Sequence, residues 1–175
     1  MPSLQGFLGV HSINSVLSYI LLGGFMLFII NSYNLIDGID GLVGGIGLTS
    51  FLGLSLLFFG AGQLNISWLC LGLVGALMAF LMFNLWGAPT HKRFKKVFMG
   101  DAGSMFTGLA LATLLLFGVN EQSSSFTPVT ALWFVLLPMT DMITLMYRRI
   151  KRGKSPLAPD RTHIHHILMR AGFSS

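Results

Sequence analysis

Charged residues are scarce in this sequence of 175 residues. They make up 10% of the chain, whereas about 25% is usual in soluble domains. Hydrophobic residues make up 53%, and the mean hydropathy is +0.74. This composition excludes an ordinary soluble globular domain and predicts an integral membrane protein.

The sequence also has very little cysteine and no basic Lys or Arg side chain near its beginning. Cys70 is the single cysteine and lies inside an apolar run, so the sequence offers neither an internal disulfide nor a cysteine metal site. We expect a buried, unreactive thiol there. The first fifteen residues contain no Lys or Arg, and a cleaved secretory signal is therefore not expected.

Long apolar runs, by contrast, dominate the chain. A bilayer core about 30 Å thick requires about 20 helical residues. We predict an all-α fold: a polytopic membrane helical bundle with five transmembrane helices and one membrane domain over residues 1–175. The predicted spans are 16–34, 41–60, 66–86, 104–119 and 126–147, followed by a basic tail at 148–175. Two small-residue pairs, Gly41 with Gly45 and Gly72 with Ala76, have the spacing that permits close helix approach.

The eleven Lys and Arg residues fall into two segments, 92–96 and 148–170. Five alternating spans place both segments, together with residues 31–41, at the same membrane face. The positive-inside rule makes that face cytoplasmic, which predicts an outside N-terminus and a cytoplasmic C-terminus. Topology and anionic lipid thus explain the net charge of +5, and we expect no nucleic-acid partner.

The first polar motif joins the first two spans. Asn31 and Asn34 are three residues apart and share a helix face, and Asp37 and Asp40 continue this spacing into a glycine-containing turn. Buried amides and carboxylates are costly without a partner, so they favour a ligand, a cation or a wet cavity. Their oxygen atoms suit Mg²⁺ or hydrogen bonds to a sugar or base. The alternative is a polar turn that caps the second span.

The second motif, residues 98–104, precedes the fourth predicted span. Gly100 and Gly103 permit a close approach of the backbone to a ligand, and a helix N-terminus presents N–H groups to phosphate. Asp101 would repel that phosphate unless a cation lies between them, which makes Asp101 a candidate metal ligand. An ordinary helix cap is the alternative. Two roles fit Phe98: stacking on a base, and a simple interfacial position.

The third motif lies in the basic tail. Its imidazole and guanidinium groups can donate several hydrogen bonds to a pyrophosphate. They are Arg161, His163, His165 and His166. A zinc site competes with this reading but lacks a nearby Cys or Glu, and a solvated tail is the remaining alternative.

Together the three motifs resemble those of the polyprenyl-phosphate N-acetylhexosamine-1-phosphate transferases, from Asn31 to the C-terminus. Residues 128–133 and 155–173 resemble the branch that transfers N-acetylglucosamine-1-phosphate from its UDP derivative to undecaprenyl phosphate. A transferase acting on the muramyl-pentapeptide nucleotide is the alternative among enzymes. A transporter or channel segment is the alternative from another class, although it predicts polar residues in mid-span rather than at one edge.

The resemblance implies that a lipid phosphate oxygen attacks the β-phosphorus of a UDP-N-acetylhexosamine, with Mg²⁺ or Mn²⁺ as the cofactor and UMP leaving. It implies that Asp101 is the principal metal ligand and Asn34 a second one. Phe98 would stack on uracil, Asp37 and Asp40 would hold ribose and uracil, and the histidines would hold phosphates. The implied catalytic residues are Asp37, Asp101 and His166. The implied substrate-binding residues are Asn31, Asn34, Asp37, Asp40, Phe98, Gly100, Arg161, His163, His165 and His166.

One departure from the family pattern bears on activity. Family members carry an aspartate pair in an earlier cytoplasmic segment, whereas the first thirty residues here contain no Asp or Glu. We therefore expect the C-terminal half of such an enzyme, weak or inactive alone: a fragment, a truncated reading frame or one of two complementing halves. The expected protein partners are a missing N-terminal half or a second copy in a homodimer. The resemblance also implies the bacterial inner membrane, a cytoplasmic active site and a role in initiating cell-envelope polysaccharide synthesis.

Overall fold

The computed structural model describes residues 15–87, 95–120 and 125–153. These ranges contain α-helices and no strand. The helices are α1 (Ser15–Ile36), α2 (Leu42–Gly60), α3 (Leu64–Trp86), α4 (Gly100–Val119) and α5 (Pro128–Lys151). All five are long and apolar enough to cross a membrane, which confirms the predicted all-α class and the number of spanning helices. The side on which each terminus lies stays a prediction.

Local sequence explains where α4 and α5 begin. The second motif contributes the first turn of α4, so this helix starts earlier than the predicted span, at Gly100. Gly100 has a φ of +63°, which glycine adopts without steric cost. Pro128 opens α5, where its fixed φ suits a first helical turn. Thr127 caps the helix, since its hydroxyl oxygen accepts a hydrogen bond from the Thr130 N–H at 3.3 Å.

Helices α2 and α3 form an antiparallel hairpin held by polar contacts as well as apolar ones. The hydroxyl oxygens of Ser55 on α2 and Ser67 on α3 are 2.9 Å apart, and both residues are buried. Hydrogen bonds of this kind between membrane helices contribute about 0.6 kcal/mol on average. The pair therefore fixes the relative register of α2 and α3 more than it adds stability.

Helix α1 packs against α4 and α5, and one glycine sets the α1–α4 distance. A Cβ atom at Gly108 would lie 3.0 Å from the Cα of Ile30, so a side chain there would push the two backbones apart. Of the glycines predicted to permit close approach, Gly41 does so, since an added Cβ would lie 2.7 Å from a side-chain carbon of Leu85. The prediction is wrong for Gly45 and Gly72, where an added Cβ meets nothing within 4 Å. Spacing alone did not show which face of each helix carries a neighbour.

The helices bury one continuous core and leave large apolar side chains outside. The core is formed mainly by Ile29, Tyr33, Ile36, Phe51, Leu54, Phe58, Leu111 and Leu115. Trp68 and Trp133 are 69% and 70% exposed. A soluble protein rarely leaves so extensive an apolar surface open to water, whereas a helix facing lipid does so routinely.

The direction of α5 follows from two contacts with other helices. The Ser50 hydroxyl donates to the Phe134 carbonyl at 3.4 Å, and the Ser32 hydroxyl donates to the Met142 sulfur at 3.1 Å. Ser50 lies about 12 Å from the start of α2, and Ser32 about 6 Å from the end of α1. Passing along α5 from Phe134 to Met142 therefore leads toward the end of the bundle that holds residues 37–41. The last turn of α5 at this end carries Arg148, Arg149 and Lys151.

Candidate active site

A cavity of about 380 Å³ lies at this end of the bundle, where residues 37–41 meet residues 96–101. The end of α3 closes a third side with Phe80 and Asn84. The first and second polar motifs, far apart in the sequence, thus line one cavity. Three carboxylates face it, from Asp37, Asp40 and Asp101.

Asp101 is held across the α1–α4 contact. The Asn34 side-chain amide donates to Asp101 Oδ1 at 3.1 Å and to the Ser104 hydroxyl at 3.2 Å. Ser104 is fully buried, and its own hydroxyl lies 3.2 Å from the Gly100 carbonyl oxygen, to which it can donate. Asp101 also lies in the first turn of α4, where the helix dipole favours a negative charge. The carboxylate therefore has a fixed direction before any ligand arrives.

Asp37 lies in the connection between α1 and α2, outside the spanning helices, and is half-buried. Burial is the main cause that raises its pKa above the usual Asp value, and the charges of Asp101 and Asp40 raise it further. Asp37 therefore experiences repulsion from the other two carboxylates in addition to the cost of burial. A divalent cation or a proton would relieve that repulsion.

Asp40 makes two contacts that tie this connection to its surroundings. Its Oδ2 forms an ion pair with Lys96 Nζ at 2.5 Å, and its Oδ1 accepts from the Asn84 amide at 3.3 Å. The same Asn84 amide nitrogen donates to the Val97 carbonyl at 2.8 Å, and Asn84 Oδ1 accepts from the Gly41 N–H at 2.6 Å. One buried amide therefore joins residues 37–41, the end of α3 and the segment before α4.

Phe98 stands at the rim of the cavity and is 70% exposed. Lys96 Nζ lies 5.3 Å from the centroid of its ring, within cation–π distance. Phe98, Phe80 and Met99 also line a second cavity of about 230 Å³ between α2, α3 and α4. The lining of this second cavity is almost entirely apolar.

The structure does not bring every predicted site residue to the cavity. Asn31 is exposed, and its side-chain amide donates to the Leu27 carbonyl of its own helix at 2.8 Å. In the described ranges neither Asn31 nor Asn34 lines the cavity, and Asn34 is linked to it through its hydrogen bond to Asp101. Arg161, His163, His165 and His166 lie outside the residues that the structure describes, so their predicted roles stay predictions.

Comparison with known proteins decides the family. The sequence of residues 1–119 matches the pattern of glycosyl transferase family 4. The chain belongs to glycosyl transferase family 4. This membership confirms the predicted family, over a range that includes the first two motifs, and together with the five apolar helices it identifies a multi-pass membrane protein.

Curated relatives share much of the sequence. An undecaprenyl-phosphate alpha-N-acetylglucosaminyl 1-phosphate transferase from Yersinia pestis is 42% identical over 146 residues, which are 83% of this chain and 39% of that protein. The protein of the same name from Escherichia coli K12 gives the same values. The one from Haemophilus influenzae is 43% identical over 133 residues, 76% of this chain and 37% of its own length. The chain thus spans about 39% of the length of the first of these relatives.

The described side chains around this cavity do not complete a metal site by themselves, so a metal ion would bind there together with a ligand. In the described part of the chain, no three side chains of His, Cys, Asp or Glu are grouped closely enough to hold a metal. Mg²⁺, however, usually keeps several waters and takes one or two carboxylates plus substrate phosphates. Asp101, oriented by Asn34, fits that pattern as a single protein ligand.

The sequence did not lead us to predict two residues that line the cavity, Asn84 and Lys96. Asn84 is 4% exposed and is the one amide in the last half of α3, a position that signals a polar partner within an apolar helix. Lys96 was interpreted only as a topological cation, because it lies in a run of basic residues. Its place two residues before Phe98 was the available signal.

Proposed function

We propose that this protein takes part in the transfer of N-acetylglucosamine-1-phosphate from UDP-N-acetylglucosamine to undecaprenyl phosphate, with release of UMP. The main support is the convergence of two separate polar motifs, including Asp37 and Asp101, on one cavity at one end of a membrane bundle. A nucleotide-sugar with a lipid acceptor needs a polar cavity at the membrane edge. The names of the relatives supply the acceptor and the sugar.

Phosphoryl transfer depends mainly on positioning and on stabilisation of negative charge. Asp37 and Asp101 would repel a diphosphate, because Lys96 is already paired with Asp40, so a bound cation would help the cavity to admit one. Bound Mg²⁺ would neutralise the charge that develops on the phosphate oxygens. Asp101 would hold that ion, with Asn34 fixing the direction of the carboxylate. Mn²⁺ would suit the same oxygen ligands.

Asp37 has a different role in this proposal. Its raised pKa means that it binds a proton more readily than an ordinary Asp, which suits a group that exchanges a proton or a hydrogen bond with the substrate. Phe98, exposed at the rim, would stack on uracil. His163, His165 and His166 would bind the diphosphate, and the direction of α5 supports this because its C-terminus belongs to the cavity end.

We place the cavity on the cytoplasmic side of the bacterial inner membrane. The described cations near it include Lys95, Lys96 and the last turn of α5, and the positive-inside rule assigns such an end to the cytoplasm. Cysteine labelling in whole cells tests this side. Access at position 95 to a membrane-impermeant reagent added outside intact cells would contradict it.

Binding to the purified chain in lipid nanodiscs tests the function, because binding depends on the cavity described here. Calorimetric titration with UDP-N-acetylglucosamine should show stronger binding with Mg²⁺ than with EDTA, and Asp101→Asn should remove that difference. Glu121→Gln is the matched control, since it removes one carboxylate just beyond the other end of α4. Equal binding with and without Mg²⁺ would refute the proposal. Tighter binding of the UDP-muramyl-pentapeptide would instead reassign the sugar.

A further inference from the structure

Three side chains join the connection between α1 and α2 to the segment before α4, which carries Phe98. We call Asp40, Asn84 and Lys96 the loop clamp. Asp40 belongs to the connection between α1 and α2, and Lys96 belongs to the segment before α4. Asn84, on α3, contacts both segments through Asp40 and Val97.

The loop clamp occupies both oxygens of Asp40. Oδ2 is paired with Lys96 and Oδ1 accepts from Asn84, while the two charged side chains are only 18% and 20% exposed. A pair this shielded from water is screened little by salt. Asp40 therefore differs from Asp37 and Asp101, because its charge is already balanced within the protein.

Lys96 also fixes an aromatic ring. Its ammonium group lies near Asp40 Oδ2 and within 5.3 Å of the Phe98 ring centroid, so one cation contacts a residue of each segment. Among the cavity-lining residues that the structure describes, Lys96 alone carries a cationic side chain. The other parts of the Phe98 ring are open, since this residue is 70% exposed.

We propose that Lys96 is a positioning residue that, with Asp40 and Asn84, holds the Phe98 segment against the 37–41 connection, so that both present one preformed surface to a uridine base. This inference rests on the proposed function for the identity of the ligand. The clamp itself rests on the contacts alone. Lys96 acts through Asp40 and Phe98, and it does not need to contact phosphate.

The competing role for Lys96 is direct binding of a phosphate, which would require it to leave Asp40. The affinity for uridine, which has no phosphate, distinguishes these two roles of Lys96. A positioning role predicts that Lys96→Met weakens uridine about tenfold, as is usual for coupled neighbours, and weakens UMP and UDP-N-acetylglucosamine by at least as much. A phosphate contact predicts a loss for the two phosphate-containing ligands and none for uridine.

The experiment uses the full chain in nanodiscs, with affinities for uridine, UMP and UDP-N-acetylglucosamine measured by competition. Lys96→Arg should restore binding to within about threefold, since arginine keeps both the ion pair and the cation–π contact. Lys95→Met is the matched control: it removes the same charge from the exposed neighbour and should change nothing. A loss confined to UMP and UDP-N-acetylglucosamine would overturn the positioning role.

Hydrogen–deuterium exchange without ligand tests the clamp independently of the proposed function. Lys96→Met should speed exchange in residues 37–41 and 95–99 together, including the Gly41 N–H that donates to Asn84, and Lys95→Met should not. Unchanged protection of α2 and α3 shows that the variant is folded. Unchanged exchange in the two segments would overturn the clamp. Failure of the unaltered chain to bind any uridine compound would overturn the proposed function, while the exchange result would still decide the clamp.

Discussion

The direction of the Asp101 carboxylate depends on one amide from another helix, and Asn34→Ala removes that amide. Asn34 donates to Asp101 Oδ1 at 3.1 Å and to Ser104 at 3.2 Å. In the variant the carboxylate loses its partner on α1 and gains rotational freedom around the start of α4. Asp101 itself remains, so the metal ligand proposed above is still present but is no longer oriented.

The size of the effect follows from the hydrogen bonds lost. A hydrogen bond to a charged group contributes about 1.5–3 kcal/mol, and a site open to solvent lies near the lower end of that range. Asp101 is exposed, so we take about 1.5 kcal/mol, which corresponds to an affinity roughly tenfold weaker. We therefore expect Mg²⁺-dependent binding of UDP-N-acetylglucosamine to weaken about tenfold in Asn34→Ala.

Asn31→Ala provides the control, because it is the same substitution one helical turn earlier on α1. Asn31 donates to the Leu27 carbonyl of its own helix and is exposed, so its loss should leave binding unchanged. The assay is calorimetric titration of both variants in nanodiscs, with Mg²⁺ and with EDTA. Unaltered affinity in Asn34→Ala would refute the orienting role of this amide. A loss in Asn31→Ala would restore Asn31 to the substrate-binding set that the sequence predicted.

The sequence predicted the architecture because the responsible property is carried by whole segments. Five long apolar runs require five helices in a bilayer, and counting the alternating spans places residues 31–41 and the basic segments at one end. That count predicts only a shared membrane face for Asp37 and Asp101, and the structure brings them to one cavity at that face. Predictions of this kind tolerate errors of several residues at helix ends.

The contacts of single side chains could not be predicted in this way, because they depend on how each helix is rotated about its axis. Asn31 and Asn34 have the same side chain and neighbouring positions, yet only Asn34 reaches α4. Asn84 showed no motif around it, and its three contacts come from segments distant in the chain. Gly108, which no pattern singled out, proved to be the close contact between α1 and α4.

Two further predictions concern packing and protonation. Gly108→Ala should lower the thermal stability of the chain in detergent, because its Cβ would lie 3.0 Å from a Cα of α1, whereas Gly45→Ala, with nothing within 4 Å, should not. The pH dependence of Mg²⁺ affinity, measured in the presence of UDP-N-acetylglucosamine, tests Asp37. Burial and two neighbouring carboxylates raise its pKa above the usual 3.8, so a proton competes with the cation up to a higher pH than for an ordinary Asp. Affinity should therefore rise as pH increases through the raised pKa and then level off, and cation binding within that range should release protons. Asp37→Asn removes the titrating group and should abolish this step; a pH profile identical in the two proteins would show that Asp37 does not face the ion.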